Sequence, residues 1–319
     1  QPTLEIRAVS LAREDPGSDV LEQKPVVDEF GQWKPADWPG KVKDLTQLKA
    51  DWAAEAIPAG DFGWCEFGGH AAGPKHAATG FFRVQQVDGR WWFIDPDGHL
   101  FFSTSCTGVG VASGDARLQG REDFFTTLPP PAAAGSSRGG GFYAANLARR
   151  HGADAPAKAR QLALRRLDAW GLNTIGNWSD SALWDARRKA YQVNLNGWGM
   201  QNGYLGLPDV YSEEFVRIAD RDAAAQCAPR KSDPWLLGYF IGNEPPWPGR
   251  ESLVVDIILD AKKPSVIQRE ARTFLAAGDT PERRKEFIYR AFARFLEVTI
   301  AAIRRHDPNG AECPTVNEG

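Results

Sequence analysis

The run LLGYFIGNEPP, residues 236–246, ends an apolar stretch on an amide, a carboxylate and two prolines. Leu236 to Ile241 are too few residues for a helix and show no polar alternation, so a strand covered on both faces is expected. Pro245 and Pro246 withhold the N–H that a ladder needs and bias the preceding residue toward extended backbone, which sets Asn243 and Glu244 at the strand's carboxyl end. In parallel α/β architectures that is the reactive end. A carboxyl group there, partly withdrawn from water, suits general acid or base work, and Asn243 beside it can hydrogen-bond a hydroxyl. The plainer reading has Asn-Glu-Pro closing a strand, with Glu244 capping the helix after it.

The aromatic content narrows the chemistry. Twelve Trp and 17 Phe are more than a core of this size needs, and aromatic faces suit the apolar faces of sugar rings. Cleaving a glycosidic bond takes two carboxyl groups, about 5–5.5 Å apart for retention or about 6.5–9.5 Å for inversion. Asn177 and Trp178 end a second apolar run (GLNTIGNW) at the same mouth, and Trp198 and Trp247 stand in loops there as candidate sugar platforms. Asp95, Asp97 and Asp180 occupy turn sequences and read as turn or cap residues, and Cys106 as a small buried apolar residue. The four cysteines are scattered without a CxxC, and the five histidines form no HExxH or HxH. Neither a metal site nor a disulfide framework is expected.

The elements that must position these groups alternate. A hairpin is expected within Gly80–Gly110, marked by Asp88-Gly89 and Asp95-Pro96-Asp97-Gly98 and feeding a buried strand over Leu100–Cys106. Residues 111–160 read as a long polar insert. After it come helix 157–170, strand 172–176, helix 181–189, strand 191–195, helix 212–226 and the strand leading to Glu244. That order implies parallel strands joined by right-handed crossovers, hence an α/β layer or barrel. Residues 251–276 and 281–305 read as amphipathic helices, the second from Phe287, Ala291, Phe295, Val298 and Ala302. Residues 1–17 read as the last strand of an upstream domain, 18–60 as a connecting arm with a helical patch near 45–55, and 61–319 as the barrel domain.

A formal charge of −3 and a pI near 6.0 favour neutral partners over nucleic acid or a membrane surface. No stretch of about 20 apolar residues is present. The chain begins with Gln, so a leader or longer upstream region is expected, and localisation is not legible beyond the secreted or periplasmic setting that a polysaccharide would imply.

Taken together, GFFRVQQVDGRWWFIDPDGHLFFS, LRRLDAWGLNTIGNWSD, LPDVYSEEFVR and LLGYFIGNEPPW resemble the β-agarases of glycoside hydrolase family 50, and VVDEFGQWKPADWPGKV resembles the arm entering their barrel. The resemblance implies a (β/α)8 barrel behind a β-sandwich carbohydrate-binding domain, a retaining cleavage of agarose or a related galactan, no cofactor, Glu244 as general acid/base and Asn243 as a sugar contact. It also implies a second Glu, the nucleophile, at the end of strand seven, and no residue here fills that place. The stretch after Glu244 is too short for four more βα units at about 30 residues each. Glu270, Glu286 and Glu297 sit on amphipathic helices, and Glu318 comes after roughly the fifth strand position. The barrel is therefore expected to be incomplete, with an open sheet edge and an oligomeric or partner-dependent state. The alternative function is a noncatalytic carbohydrate-binding remnant.

Overall fold

The computed structural model describes residues 24–58, 60–111, 115–129 and 140–309. The expected strand in residues 1–17 and Glu318 lie outside the described residues. The chain divides into two compact units, one formed by residues 1–57 and 110–162, the other by 58–109 and 163–319.

In the second unit β1 (Arg83–Val87) and β2 (Arg90–Ile94) pair antiparallel with Val87 opposite Arg90, across Asp88 and Gly89, which both take positive φ, 50° and 77°. An Asp-Gly pair tolerates that left-handed turn, as the sequence implies. The expected strand over 100–106 is instead two pieces in two sheets. β3 (Leu100–Phe101) continues the hairpin sheet, and β4 (Ser105–Cys106) joins the parallel one. Thr104 makes the crossing possible, because its N–H and hydroxyl are satisfied by Asn173 Oδ1 and Gly171 O at 2.9 Å each, outside either ladder.

In the first unit α1 (Leu45–Ala54) starts where Asp44 Oδ1 accepts from Gln47 N at 2.8 Å. The segment read as a loose insert carries order of its own. β5 (Asp115–Ala116) pairs with β6 (Gly140–Gly141), and α2 (Phe142–His151) buries Ala145 and Leu147. Asn146 Nδ2 donates to Phe30 O at 3.0 Å, tying α2 to the arm within that unit.

α3 (Ala155–Ala169) leads to β7 (Thr174–Ile175), β8 (Ala190–Asn194) and β9 (Leu236–Phe240). The parallel sheet has the order β4-β7-β8-β9, with Cys106 beside Ile175, Ile175 beside Tyr191 and Tyr191 beside Leu236. The helix expected over 181–189 is a 3-10 turn, Ser181–Ala186, and α4 (Glu213–Gln226) crosses over between β8 and β9. β9 is buried on both faces, with Leu237 against Phe82, Phe101 and Ala190, and Leu236 and Tyr239 in the main core. The sheet is open, with no strand on the far side of β9 among the described residues, so a closed eight-stranded barrel is not what these strands form.

The single helix expected over 251–276 is two, α5 (Glu251–Leu259) and α6 (Val266–Leu275), because Pro264 interrupts it, Ser265 caps the new helix by accepting from Gln268 N at 3.3 Å, and Asp209 accepts from Val266 N and Ile267 N at 2.8 Å. α7 (Pro281–His306) buries Phe287, Ala291, Phe295, Val298 and Ala302, the spacing read from the sequence. Glu286 and Glu297 pair on its surface with Arg290 and Arg294. No described helix is long and apolar enough to cross a membrane.

Candidate functional site

The carboxyl ends of β7 and β9 carry the residues singled out above. Beyond β7 the chain hugs β4: Gly176 N donates to Cys106 O at 2.8 Å, and a Cβ at Gly176 would lie 3.0 Å from that same oxygen, so a larger residue would push the strands apart. Gly108 N donates to Asn177 O at 2.9 Å. This leaves the Asn177 side chain 6% exposed, with its Oδ1 buried and without a hydrogen-bond partner among the described residues. Such an acceptor is costly unless something meets it. The alternative duty of satisfying nearby backbone through Oδ1 is excluded by that geometry.

Trp178 takes φ 59° and is 57% exposed, its ring edge-to-face with Phe240 of β9 at 6.0 Å between centroids. A tryptophan held this open by a neighbouring ring offers a free face to a ligand.

Asn243 and Glu244 stand on the loop after β9, both exposed. Glu244 lies farther from the strand than expected and is not the cap of α5, whose N-cap is Arg250. The residue before a proline was read as extended, yet Glu244 takes φ 42°. The chain must turn back at that point, because Trp247 three residues later is buried in the core. Left-handed backbone at a non-glycine residue is strained. Trp178, Trp198, Leu205 and Glu244 all adopt it in loops after the carboxyl ends of the parallel strands.

Two expected platforms are corrected. Trp198 is 0% exposed, its backbone N–H donating to Asp222 Oδ2 at 2.8 Å and its indole Nε1 to Ile241 O at 3.1 Å. It holds the backbone just ahead of Asn243 and has no face for a sugar. Trp247 is 3% exposed, packed edge-on against Phe292 at 4.9 Å and Tyr289 at 6.0 Å. Sequence reasoning missed that these rings anchor the loops, since aromatic content does not say which way a ring faces.

The carboxylates around these loops have structural duties. Asp180 accepts from Ala182 N at 3.0 Å, as its turn position implies. Asp222 holds Trp198, Asp209 starts α6, and Glu251 accepts from Gly249 N at 3.0 Å. Glu244 is exposed and has no hydrogen-bond or ion-pair partner among the described residues.

Known proteins share sequence and fold similarity with this chain. No family model matches the chain. It is 29% identical over 280 residues to β-agarase B of Vibrio sp. (strain JT0107), covering 72% of this chain, and 30% identical over 202 residues to β-agarase A of the same strain, covering 52%. The chain is thus similar in sequence to two β-agarases. The chain spans only 29% of the length of β-agarase B and 20% of that of β-agarase A. Its fold matches the agarase AgWH50C with a TM-score of 0.76 at 22% identity, over 91% of this chain and 51% of that one. PfGH50B gives 0.73 at 24% identity, with 91% and 54% covered, and an exo-β-agarase 0.71 at 22%, again with 91% and 54% covered.

Proposed function

We propose that this chain supplies the acid/base side of a site that cleaves β-galactosidic linkages in agarose or a related galactan. Glu244 is the general acid/base, Asn243 and Asn177 meet sugar hydroxyls, and Trp178 is the platform. The observation that carries the reading is Asn177: a buried amide oxygen without a partner among the described residues, beside an exposed tryptophan, at the strand ends where Glu244 also emerges. A sugar hydroxyl would supply the missing donor. The kinship with β-agarases supports agarose as the polymer.

In the retaining course that the resemblance implies, Glu244 protonates the departing glycosidic oxygen, a second carboxylate attacks the anomeric carbon, and Glu244 then takes a proton from the incoming water. The exposed position of Glu244 leaves it reachable by a polymer, and a bound sugar would supply the desolvation that the loop alone does not. Proton NMR of the first product tests this course: a β-configured reducing end supports retention, and an α-configured one overturns it.

A second reading, carbohydrate binding without turnover, is favoured by the open sheet and by the structural duties of the neighbouring carboxylates. Binding of neoagaro-oligosaccharides with no reducing-sugar release would decide for it.

A further inference from the structure

Asp95 lies fully buried in the turn between β2 and β3. Its Oδ1 does ordinary turn work, accepting from Asp97 N and His99 N at 3.0 and 2.8 Å. Its Oδ2 has other company. Cys65 Sγ lies at 2.8 Å and His99 Nδ1 at 3.4 Å. That imidazole nitrogen is buried and, at this distance and angle, makes no hydrogen bond among the described residues. The three donor atoms all lie within 4.8 Å of one another, and no Lys or Arg among the described residues pairs with Asp95. A buried carboxylate with no lysine or arginine opposite it, touching a thiol and an imidazole nitrogen that makes no hydrogen bond, is an arrangement that a cation would complete.

We propose that Cys65, Asp95 and His99 form a binding site for one divalent cation of the zinc type. Thiolate, imidazole and carboxylate are the donor set that zinc takes, and a tetrahedral ion would hold them about 3.3–3.6 Å apart; the His99–Asp95 pair at 3.4 Å matches, and the Cys65–Asp95 pair at 2.8 Å would open on binding. Cys65 Sγ, Asp95 Oδ2 and His99 Nδ1 supply three ligands, and water the fourth. On binding, the Cys65 S–H bond breaks, its proton passes to solvent, and the hydrogen bond to Asp95 is exchanged for bonds from both residues to the metal. The backbone sets up Cys65 for this. Cys65 N donates to Gly69 O at 2.8 Å and Gly68 N to Cys65 O at 3.0 Å, closing a tight loop over the carboxylate. Only glycine fits at Gly69, where a Cβ would fall 2.4 Å from Asp95 Oδ2. Entry is open, since Cys65 lines a cavity of about 330 Å³ with Trp64, Glu66 and Asn173. That cavity adjoins the residues preceding β7, β8 and β9, at the opposite ends of the strands from Glu244. The proposal is independent of the glycosidase reading.

The test uses the whole chain, freed of metal by a chelator and titrated with Co2+ and with Zn2+ against a chromophoric competitor. One equivalent of metal should bind, and the Co2+ form should show thiolate-to-cobalt absorption in the near ultraviolet. Cys65→Ser should abolish that band, His99→Gln should weaken binding about tenfold or more, and Cys106→Ser should change neither. Should Cys65→Ser fail to fold, alkylation of the unaltered chain takes its place: one equivalent of Zn2+ should protect Cys65. Absence of saturable binding, a cobalt band that survives Cys65→Ser, or Cys65 unprotected by Zn2+ would each overturn the site and leave a plain thiol–carboxylate–imidazole junction.

Discussion

Tyr239 Oη donates to Asp307 Oδ2 at 2.6 Å, joining the strand that leads to Glu244 to the end of the last described helix across 68 residues of sequence. Both residues are buried, at 1% and 2% exposure. Tyr239→Phe keeps the ring and withdraws one donor from a buried carboxylate. Urea unfolding should show a loss of about 1–3 kcal/mol. An unchanged midpoint would mean that the bond contributes nothing net.

Strands β8 and β9 give an alkaline signature. Burial first, and then hydrogen bonds to Asp307 and Asp233, push the ionisation of Tyr239 and Tyr191 well above the ordinary tyrosine range. Unfolded tyrosine ionises near ~10. Above that pH the unfolded chain holds fewer protons than the folded one, so the stability present below pH ~10 is lost as pH rises toward the folded values. Absorbance at 295 nm should show at least two tyrosines ionising only as the far-ultraviolet circular dichroism collapses. Full titration of all six in the folded chain would contradict this.

Thiol reactivity should follow burial. Burial, with Asp95 next, pushes Cys65 up to about 11, and burial pushes Cys227 up to about 12. At pH 8 the metal-free chain should alkylate at both positions at least about tenfold more slowly than an ordinary free thiol. Peptide mapping after timed iodoacetamide treatment reads the two rates separately.

Trp178 and Trp198 should separate in function and stability. Trp178→Ala should leave the melting temperature nearly unchanged and weaken oligosaccharide binding about tenfold, a stacking loss of roughly 1–1.5 kcal/mol. Trp198→Ala empties a buried site and drops an indole hydrogen bond, costing about 3–5 kcal/mol. Equal effects of the two on binding at matched stability would remove Trp178 as a platform.

What the sequence made legible was whatever depends on nearest neighbours and period. The apolar run at Leu236–Phe240, the Asp88-Gly89 turn and the face of α7 come from local pattern alone. What it hid depends on partners distant in sequence. Asn173 splits the strand over 100–106 at Thr104, and Asp209 holds the start of α6, although Pro264 and Ser265 already mark that break locally. Trp198 and Trp247 turn inward for reasons that aromatic content does not encode. The grouping of Cys65, Asp95 and His99 has no motif spacing, because a hairpin and a glycine loop bring it together. At the candidate site the positions of Asn177 and Trp178 after β7 were readable, whereas the left-handed backbone of Glu244 was not.

The proposed hydrolysis stands or falls with Glu244. The most direct measurement is sugar release from neoagaro-oligosaccharides by the purified chain beside its Glu244→Gln variant, with binding of the same sugars followed by calorimetry. Turnover by the unaltered chain should fall about 10²–10⁴-fold in the variant, with binding retained in both. Undiminished turnover in the variant would contradict the assignment of Glu244 as acid/base, and binding with no turnover by either would decide for carbohydrate binding alone.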